Sequence, residues 1–561
     1  MDKYFNLGKY SRPISTRSAE AQRWFDRGLN WSYAFTHEEA LRCYEKVIEA
    51  DPDCPMGYWG VAYAAGPYYN MTWLEYSPQG LVDEMARTYR YTQEALKRAA
   101  SGTPAERALI EAFAVRFPTA DVPPESEREA TFAVWDDAYA AAMRQAFARF
   151  KDDPDVVALA AEALMLRTPW LLWDLEKRTA AEGADTLEAL EILEFGFEQR
   201  KAADLDPHPG QLHFYIHNRE MSHEPEKALE ASDQLMRLVP DAAHLVHMPS
   251  HIYILCGKYQ EALDSNVLAV VADEKYVAYR PEISIYTIYY LHNLHFQVYA
   301  ALFLGQEAAA RKAALEMARV VTPESLGGDH QYLINYLEGY SGMLVHVLIR
   351  FGKWEEIIVA PLPSHPDLYC VTTAYWHYAK GVAYAASGDV AGAELEQTRF
   401  WEAVERVPPT RRVFNNECRE VLKVAGAMLA GELEYRRENY DEAFNHLRRT
   451  VALYDQLNYT EPWAWMQPPR HALGALLLEQ GHVEEAAAVY RADLGLDDSL
   501  VRPSQHVDNI WSLHGYVECL EALNRPEEAA RFRRKLDVAQ TNADVTVESS
   551  CFCRQSGHCC D

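Results

Sequence analysis

The sequence predicts an all-α fold, a superhelix of stacked helical hairpins (an α-solenoid). Three observations carry the prediction. The segment Trp24–Pro52, WFDRGLNWSYAFTHEEALRCYEKVIEADP, reads as two amphipathic helices, with Trp24, Gly28 and Trp31 on one face of the first and Ala40, Tyr44 and Val47 on one face of the second. A small residue recurs at the same second-helix place in later segments, as Ala228, Ala262, Ala310, Ala393, Ala443, Ala486 and Ala529, with Ile357 in the equivalent position. Strand-type alternation is absent throughout.

Each element follows from local chemistry. A hairpin of two short helices cannot bury its own apolar face, so neighbours must stack. Ala40 is small enough for two helices to approach closely, and Asp51-Pro52 ends the second helix because the residue before proline avoids the α region. GYWGVAYAAG then opens a second hairpin. The pattern resembles the tetratricopeptide (TPR) motif W-x2-L-G-x2-Y…A-x3-F…P, with Arg27 where leucine is usual. The resemblance covers about residues 20–70 and 205–535, and the chain is similar along most of its length to large single-chain microbial TPR proteins. It implies a concave groove lined by the first helix of each hairpin, taking a peptide or small-molecule ligand. The expected divisions are N-terminal hairpins over 1–100, degenerate helical repeats over 101–204, histidine-rich hairpins over 205–360, C-terminal hairpins over 361–540, and a cysteine-rich tail over 541–561. TADVPPESERE reads as a loop and TPWLLWDLEKRTAAEGADT as a longer insertion.

A formal net charge of -29 argues against nucleic acid and anionic membrane surfaces as partners, and suits cationic ligands or metal ions. No stretch approaches eighteen consecutive apolar residues, and MDKYFNLGKYSRPIS has no signal-type apolar run. The expectation is a cytoplasmic protein whose ten cysteines start as thiols.

The histidines obey the hairpin period. His213 and His217 lie 15 and 11 residues before Ala228, and His247 and His251 lie 15 and 11 before Ala262, so the pairs are 34 residues apart. His295 lies 15 before Ala310, with Tyr299 in the partner place; His244 and His292 precede His247 and His295 by three residues each. His346 lies 11 before Ile357, His471 lies 15 before Ala486, and His514 and Glu518 lie 15 and 11 before Ala529. A single histidine in such a helix is ordinarily a hydrogen-bonded core residue. Recurrence at matched places in three consecutive hairpins points instead to a shared site.

Neutral imidazole is the commonest metal ligand, and pairs one turn apart present both rings to one ion. His213, His217, His244, His247, His251, His292 and His295 are therefore the candidate ligands, of copper, iron, zinc or nickel rather than calcium or magnesium. Glu220, three residues after His217, is a candidate ligand, an acceptor behind a ligand ring, or a catalytic base; Tyr299 is a candidate catalytic hydrogen-bond donor, ligand or redox group. Pro249 leaves two readings: a helix that begins there, or a groove helix kinked there so that His247 and His251 are re-aimed. The 34-residue match to the unbroken HFYIH favours the kink.

The chain closes on CFCRQSGHCCD. Cys551, Cys553, Cys559 and Cys560 can wrap a soft ion or cycle between dithiol and disulfide. His471, His514 and Glu518 form a possible second site near the root of this tail, which is expected to fold back as an intramolecular partner. Three functions fit. The first is a transition-metal-dependent enzyme, redox or hydrolytic, assisted by the thiol tail. The second is an interaction scaffold with a peptide in the groove. The third is a metal carrier or thiol sensor.

Overall fold

In the computed structural model, which describes residues 4–327 and 331–554, the first hairpin pairs α1 (Ala19–Tyr33) with α2 (His37–Ala50). Ser18 caps α1 by accepting from the Ala21 N–H. Ala40, Tyr44 and Val47 are fully buried between the helices. The Tyr44 ring lies between Gly28 and Gly60, where added Cβ atoms would come 2.8 and 2.2 Å from it, so only glycine admits this packing.

Unit 1 runs to Ile252 and includes Val271–Tyr279. After α2 it continues through α3 (Pro55–Ala65), α4 (Pro78–Arg98), α5 (Pro104–Arg116), α6 (Arg128–Phe150), α7 (Pro154–Met165), α8 (Thr186–Ala202), α9 (Pro209–Arg219), α10 (Leu229–Leu235) and α11 (Ala243–His247). Five of these begin with proline at their first position, where the missing N–H costs nothing. Successive helices from α1 to α10 pack on one another, and α9 also packs back on α1. The insertion between α7 and α8 contains a β-hairpin, Trp173–Asp174 with Thr179–Ala180, a strand element that the sequence pattern did not predict. Trp173 anchors it by donating from Nε1 to the Asn218 carbonyl at 2.6 Å.

At Pro249 the helical ladder is interrupted: α11 ends at His247 and α12 (Pro249–Leu255) begins at the proline. Met248 between them keeps helical angles (φ −50°, ψ −36°), so the two short helices form one kinked course.

Unit 2 comprises Tyr253–Val270 and the chain from Arg280. Its hairpins pair Ile285–Leu304 with Glu307–Val320, Cys370–Ala386 with Val390–Arg406, Cys418–Arg436 with Tyr440–Asp455, Pro469–Glu479 with Val483–Asp493, and Ile510–Ala522 with Pro526–Asn542. A second short β-hairpin, Arg412–Val413 with Asn416–Glu417, precedes the third of these. The first and last pairs meet. Trp511 Nε1 donates to the Leu302 carbonyl at 2.6 Å, and the Asp544 carboxylate accepts from Glu307 N and Ala308 N at 2.6 and 2.9 Å. The stack in this unit is the expected α-solenoid of hairpins, and it curls until its first and last hairpins touch. Among the described residues no helix is long and apolar enough to cross a membrane.

Candidate metal centre

The histidine site of unit 1 is built on α9 and on the α11–α12 course. His208 caps α9: its Nδ1 accepts from Gln211 N–H at 3.1 Å, so its Nε2–H faces Asp155 Oδ1 at 3.2 Å. Asp155 also accepts from Arg12, Tyr10 and Tyr33. Burial pushes its carboxyl upward, but Arg12, His208 and Tyr33 outweigh burial and hold it well below the usual carboxylate range. This buried network fixes the start of α9 and the end of α1.

Among the described residues of unit 1, five imidazoles form a closed ring. Centroids are 4.7 Å apart for His213–His217, 5.9 Å for His217–His251, 4.8 Å for His251–His247, 5.8 Å for His247–His244 and 4.9 Å for His244–His213. All five side chains are at most 4% exposed. Three are oriented from behind. His213 Nδ1 donates to the Tyr33 carbonyl at 2.6 Å. The Glu220 carboxylate bridges two more, accepting from His217 Nδ1 on Oε1 at 2.9 Å and from His251 Nδ1 on Oε2 at 2.7 Å. With the Nδ1 protons committed, the Nε2 atoms of His213, His217 and His251 carry lone pairs. His244 Nε2 lies 3.1 Å from His213 Nε2, and His247 Nε2 lies 2.7 Å from His251 Nε2. His217 Nε2 is buried and has no hydrogen-bond partner among the described residues.

Ligand atoms of His213, His217 and His244 lie within 4.8 Å of one another, and so do those of His217, Glu220 and His251. Burial, and then the neighbouring imidazoles, push His213 and His217 well below the ordinary histidine range, so both rings are neutral at neutral pH.

An aromatic wall backs the ring. Phe35 lies 4.5 Å from His213, 5.2 Å from His244 and 5.7 Å from His217; Tyr69 lies 4.8 Å and Trp170 6.1 Å from His217. Phe35 and Trp170 both adopt left-handed backbone angles (φ 52° and 62°), costly for bulky residues and held by their surroundings. Sequence reasoning missed Tyr33, Phe35, Tyr69 and Trp170. Only the insertion around Trp170 carried a signal, as a break in the hairpin pattern.

The other sequence candidates belong to unit 2. His292 packs edge-on to Phe414 at 4.7 Å. His295 packs edge-on to Tyr340 at 5.3 Å, and neither of its ring nitrogens has a hydrogen-bond partner among the described residues. Burial, and then His346, push His295 down to about 3. Tyr299 lies 4.7 Å from Phe303, with burial and Asp493 raising its hydroxyl well above the usual range.

His471 joins Asp493 rather than His514. Its Nε2–H donates to Asp493 Oδ2 at 3.0 Å, while its Nδ1 accepts from Arg350 at 2.9 Å. His506, which the repeat phase did not single out, donates from Nδ1 to Asp493 Oδ1 at 2.8 Å. Both nitrogens of His471 are thus occupied by protein, unlike His217 in unit 1. His514 Nδ1 lies 3.3 Å from Glu518, and Glu518 pairs with Arg554 at 3.0 Å. Cys551 and Cys553 are joined in a disulfide, a form that offers no thiolate to an ion. Cys559 and Cys560 lie outside the described residues.

No family model matches the chain. No curated protein matches it either. Among solved structures it is similar to yeast Tom70, at 10% identity over 92% of this chain and 96% of that one, with a TM-score of 0.29. It is also similar to the APC/C hetero-tetramer Cut9-Hcn1, at 11% identity over 94% of this chain and 95% of that one, with a TM-score of 0.27.

Proposed function

We propose that unit 1 holds a transition-metal centre of redox or hydrolytic chemistry, bound by the Nε2 atoms of His213, His217 and His251 together with His244 and His247. The observation that carries this reading is Glu220, whose carboxylate accepts from the Nδ1 atoms of two imidazoles and so leaves the lone pair of each ring on Nε2, on the side of the other histidines. Carboxylate–histidine pairs of this kind set the tautomer and raise the basicity of metal ligands. Two imidazoles on one tetrahedral ion, at metal–nitrogen distances of about 2.0–2.1 Å, sit roughly 3.3 Å apart. The observed Nε2 separations of 3.1 and 2.7 Å are hydrogen-bond distances, and each pair would open towards that spacing to share an ion. Because both oxygens of Glu220 accept from Nδ1 atoms, the ligand set is nitrogen only. That favours copper or zinc over an iron site of two histidines and a carboxylate.

Catalytic chemistry requires that only three of these five rings bind the ion at once, which leaves a position for water. The hairpin array also suits a peptide-binding scaffold, but the histidine ring, at most 4% exposed, offers no side chain to a peptide.

The test is elemental analysis of protein purified without a chelating tag. The reading expects a stoichiometric transition metal that disappears in the folded His213→Ala/His247→Ala/His251→Ala variant. A chain that stays metal-free when offered copper, zinc and iron would end it.

A further inference from the structure

The tail is seated within unit 2. The Cβ of Phe552 lies 2.9 Å from where a Cβ at Gly352 would stand, so the glycine, itself at φ +63°, makes room for it. The Phe552 ring meets Trp511 edge-on at 6.1 Å. Arg350 donates to the Ser550 carbonyl at 3.0 Å, Ser550 Oγ donates to the His471 carbonyl at 2.8 Å, and the Tyr490 hydroxyl lies 2.6 Å from Ser550 Oγ. Arg436 donates to the Cys553 carbonyl, and Arg554 pairs with Glu518. These contacts hold the segment independently of its disulfide.

The Cys551–Cys553 bond spans a sequence separation of 2. Cross-links stabilise by restricting the unfolded chain, and the effect grows with loop length, so this bond does little as a staple. Its two sulfurs differ in setting. Cys553 is 4% exposed, whereas Cys551 is partly accessible and accepts from the Cys553 N–H at 3.2 Å. Both line a small cavity of about 30 Å³ with Arg350, Trp465, Gln467 and His471. An N–H aimed at Cys551 Sγ favours the thiolate there, and accessibility makes it the sulfur that a reactant reaches.

We infer that Cys551 and Cys553 form a thiol–disulfide exchange site that turns over low-molecular-weight disulfides with a dithiol as co-reactant, Cys551 being the nucleophile. In the reduced site the Cys551 thiolate attacks a substrate disulfide RS–SR; the new S–S bond joins Cys551 to RS, and RS⁻ leaves. Cys553 then attacks Cys551 Sγ, its thiol proton passing to the departed RS⁻, and the second RS⁻ leaves to be protonated from water. The substrate is reduced to two RSH, replacing the proton lost in forming the Cys551 thiolate, and the site is oxidised to the disulfide. An external dithiol reverses the site chemistry and is itself oxidised to a cyclic disulfide. The cavity is only about the size of a water molecule, so a substrate meets Cys551 from its accessible side, and the crowded surroundings favour small disulfides over those of folded proteins.

The experiment uses the full chain with 2-hydroxyethyl disulfide as substrate and dithiothreitol as reductant, alongside peptide mapping of alkylated protein. The inference expects turnover above the uncatalysed rate. It expects at least a 100-fold loss of that excess in Cys551→Ser, and a mixed disulfide trapped on Cys551 in Cys553→Ser, read by intact mass. Mapping of wild-type protein is expected to find Cys551 and Cys553 bonded to each other before reductant and alkylated after it, without unfolding. A Cys551–Cys553 bond that survives reductant in the native protein, pairing of either residue with Cys559 or Cys560, or a Cys551→Ser/Cys553→Ser rate equal to wild type would overturn it. The mapping needs no variant, so misfolding of a mutant leaves the inference open to refutation. The result is independent of metal at the histidine ring.

Discussion

Glu220→Gln is the most discriminating single substitution for the histidine ring. It keeps size and shape but replaces one acceptor oxygen with a donor NH₂. In the native site each carboxylate oxygen faces an Nδ1–H, at 2.9 Å from His217 and 2.7 Å from His251. The amide can accept from one of them only. The other imidazole then meets a donor and must flip its tautomer or rotate, withdrawing its Nε2 lone pair. Exchanging a charge-assisted hydrogen bond for a donor–donor contact costs about 1.5–3 kcal/mol. Loss of an outer-shell partner lowers metal affinity by about 10–100-fold, which is about 1.4–2.8 kcal/mol, so the two routes agree. The removed charge acts in the same direction, since the carboxylate offsets part of an ion's charge. The assay is a competition titration of the stripped protein with copper or zinc against a chromophoric chelator, with far-ultraviolet circular dichroism to check that the helices persist. A folded Glu220→Gln protein that binds within twofold of wild type would refute the orienting role of this carboxylate.

Other consequences can be measured directly. Burial pushes His37 in unit 1 and His346 in unit 2 down to about 3. The unfolded chain takes up these protons near pH 6.5 and the folded one near 3, so stability falls as pH drops through that window, by about 1.4 kcal/mol per pH unit for each group. Denaturant midpoints between pH 7 and 4 should show this slope, and His346→Phe should remove that residue's own share of it. Gly60→Ala places a methyl 2.2 Å from the buried Tyr44 ring, and overpacking of this kind should lower stability by about 1–3 kcal/mol in chemical denaturation. Gly352→Ala, at φ +63° and against Phe552, should loosen the docked tail, read as severalfold faster tryptic cleavage at Arg554 with the rest of the protein intact. Trp173→Phe leaves the buried Asn218 carbonyl without its indole donor and should cost about 1–3 kcal/mol of stability.

Which parts of this arrangement were legible in the sequence follows from where the information lies. The spacing of Gly28, Ala40 and Tyr44 specifies a hairpin directly, because the glycine and alanine are small where two helices touch. The 34-residue offset between His213/His217 and His247/His251 likewise brings four rings together, and Glu220 lies close enough in sequence to be linked to His217. The Tyr33 carbonyl that orients His213 is 180 residues away and carries no residue signature, since any backbone offers a carbonyl. Phe35 and Trp170 reach the ring through left-handed backbone angles that no pattern predicts for such residues. In unit 2 the repeat phase related His471 to His514 as if both faced one groove. Asp493, on the partner helix of its hairpin, takes His471 and His506 instead. The closure of unit 2 rests on single long-range contacts such as Trp511 with Leu302, which periodicity does not encode.

The metal proposed for the imidazole ring of unit 1 would be bound through nitrogen alone. X-ray absorption at the metal edge, on protein purified without a chelating tag, reads those ligand atoms. Three or more imidazole nitrogens are expected at about 2.0–2.1 Å, with scattering from the outer ring atoms that weakens in Glu220→Gln. A first shell dominated by carboxylate oxygen or by sulfur, or a spectrum unchanged in the His213→Ala/His247→Ala/His251→Ala variant, would contradict it.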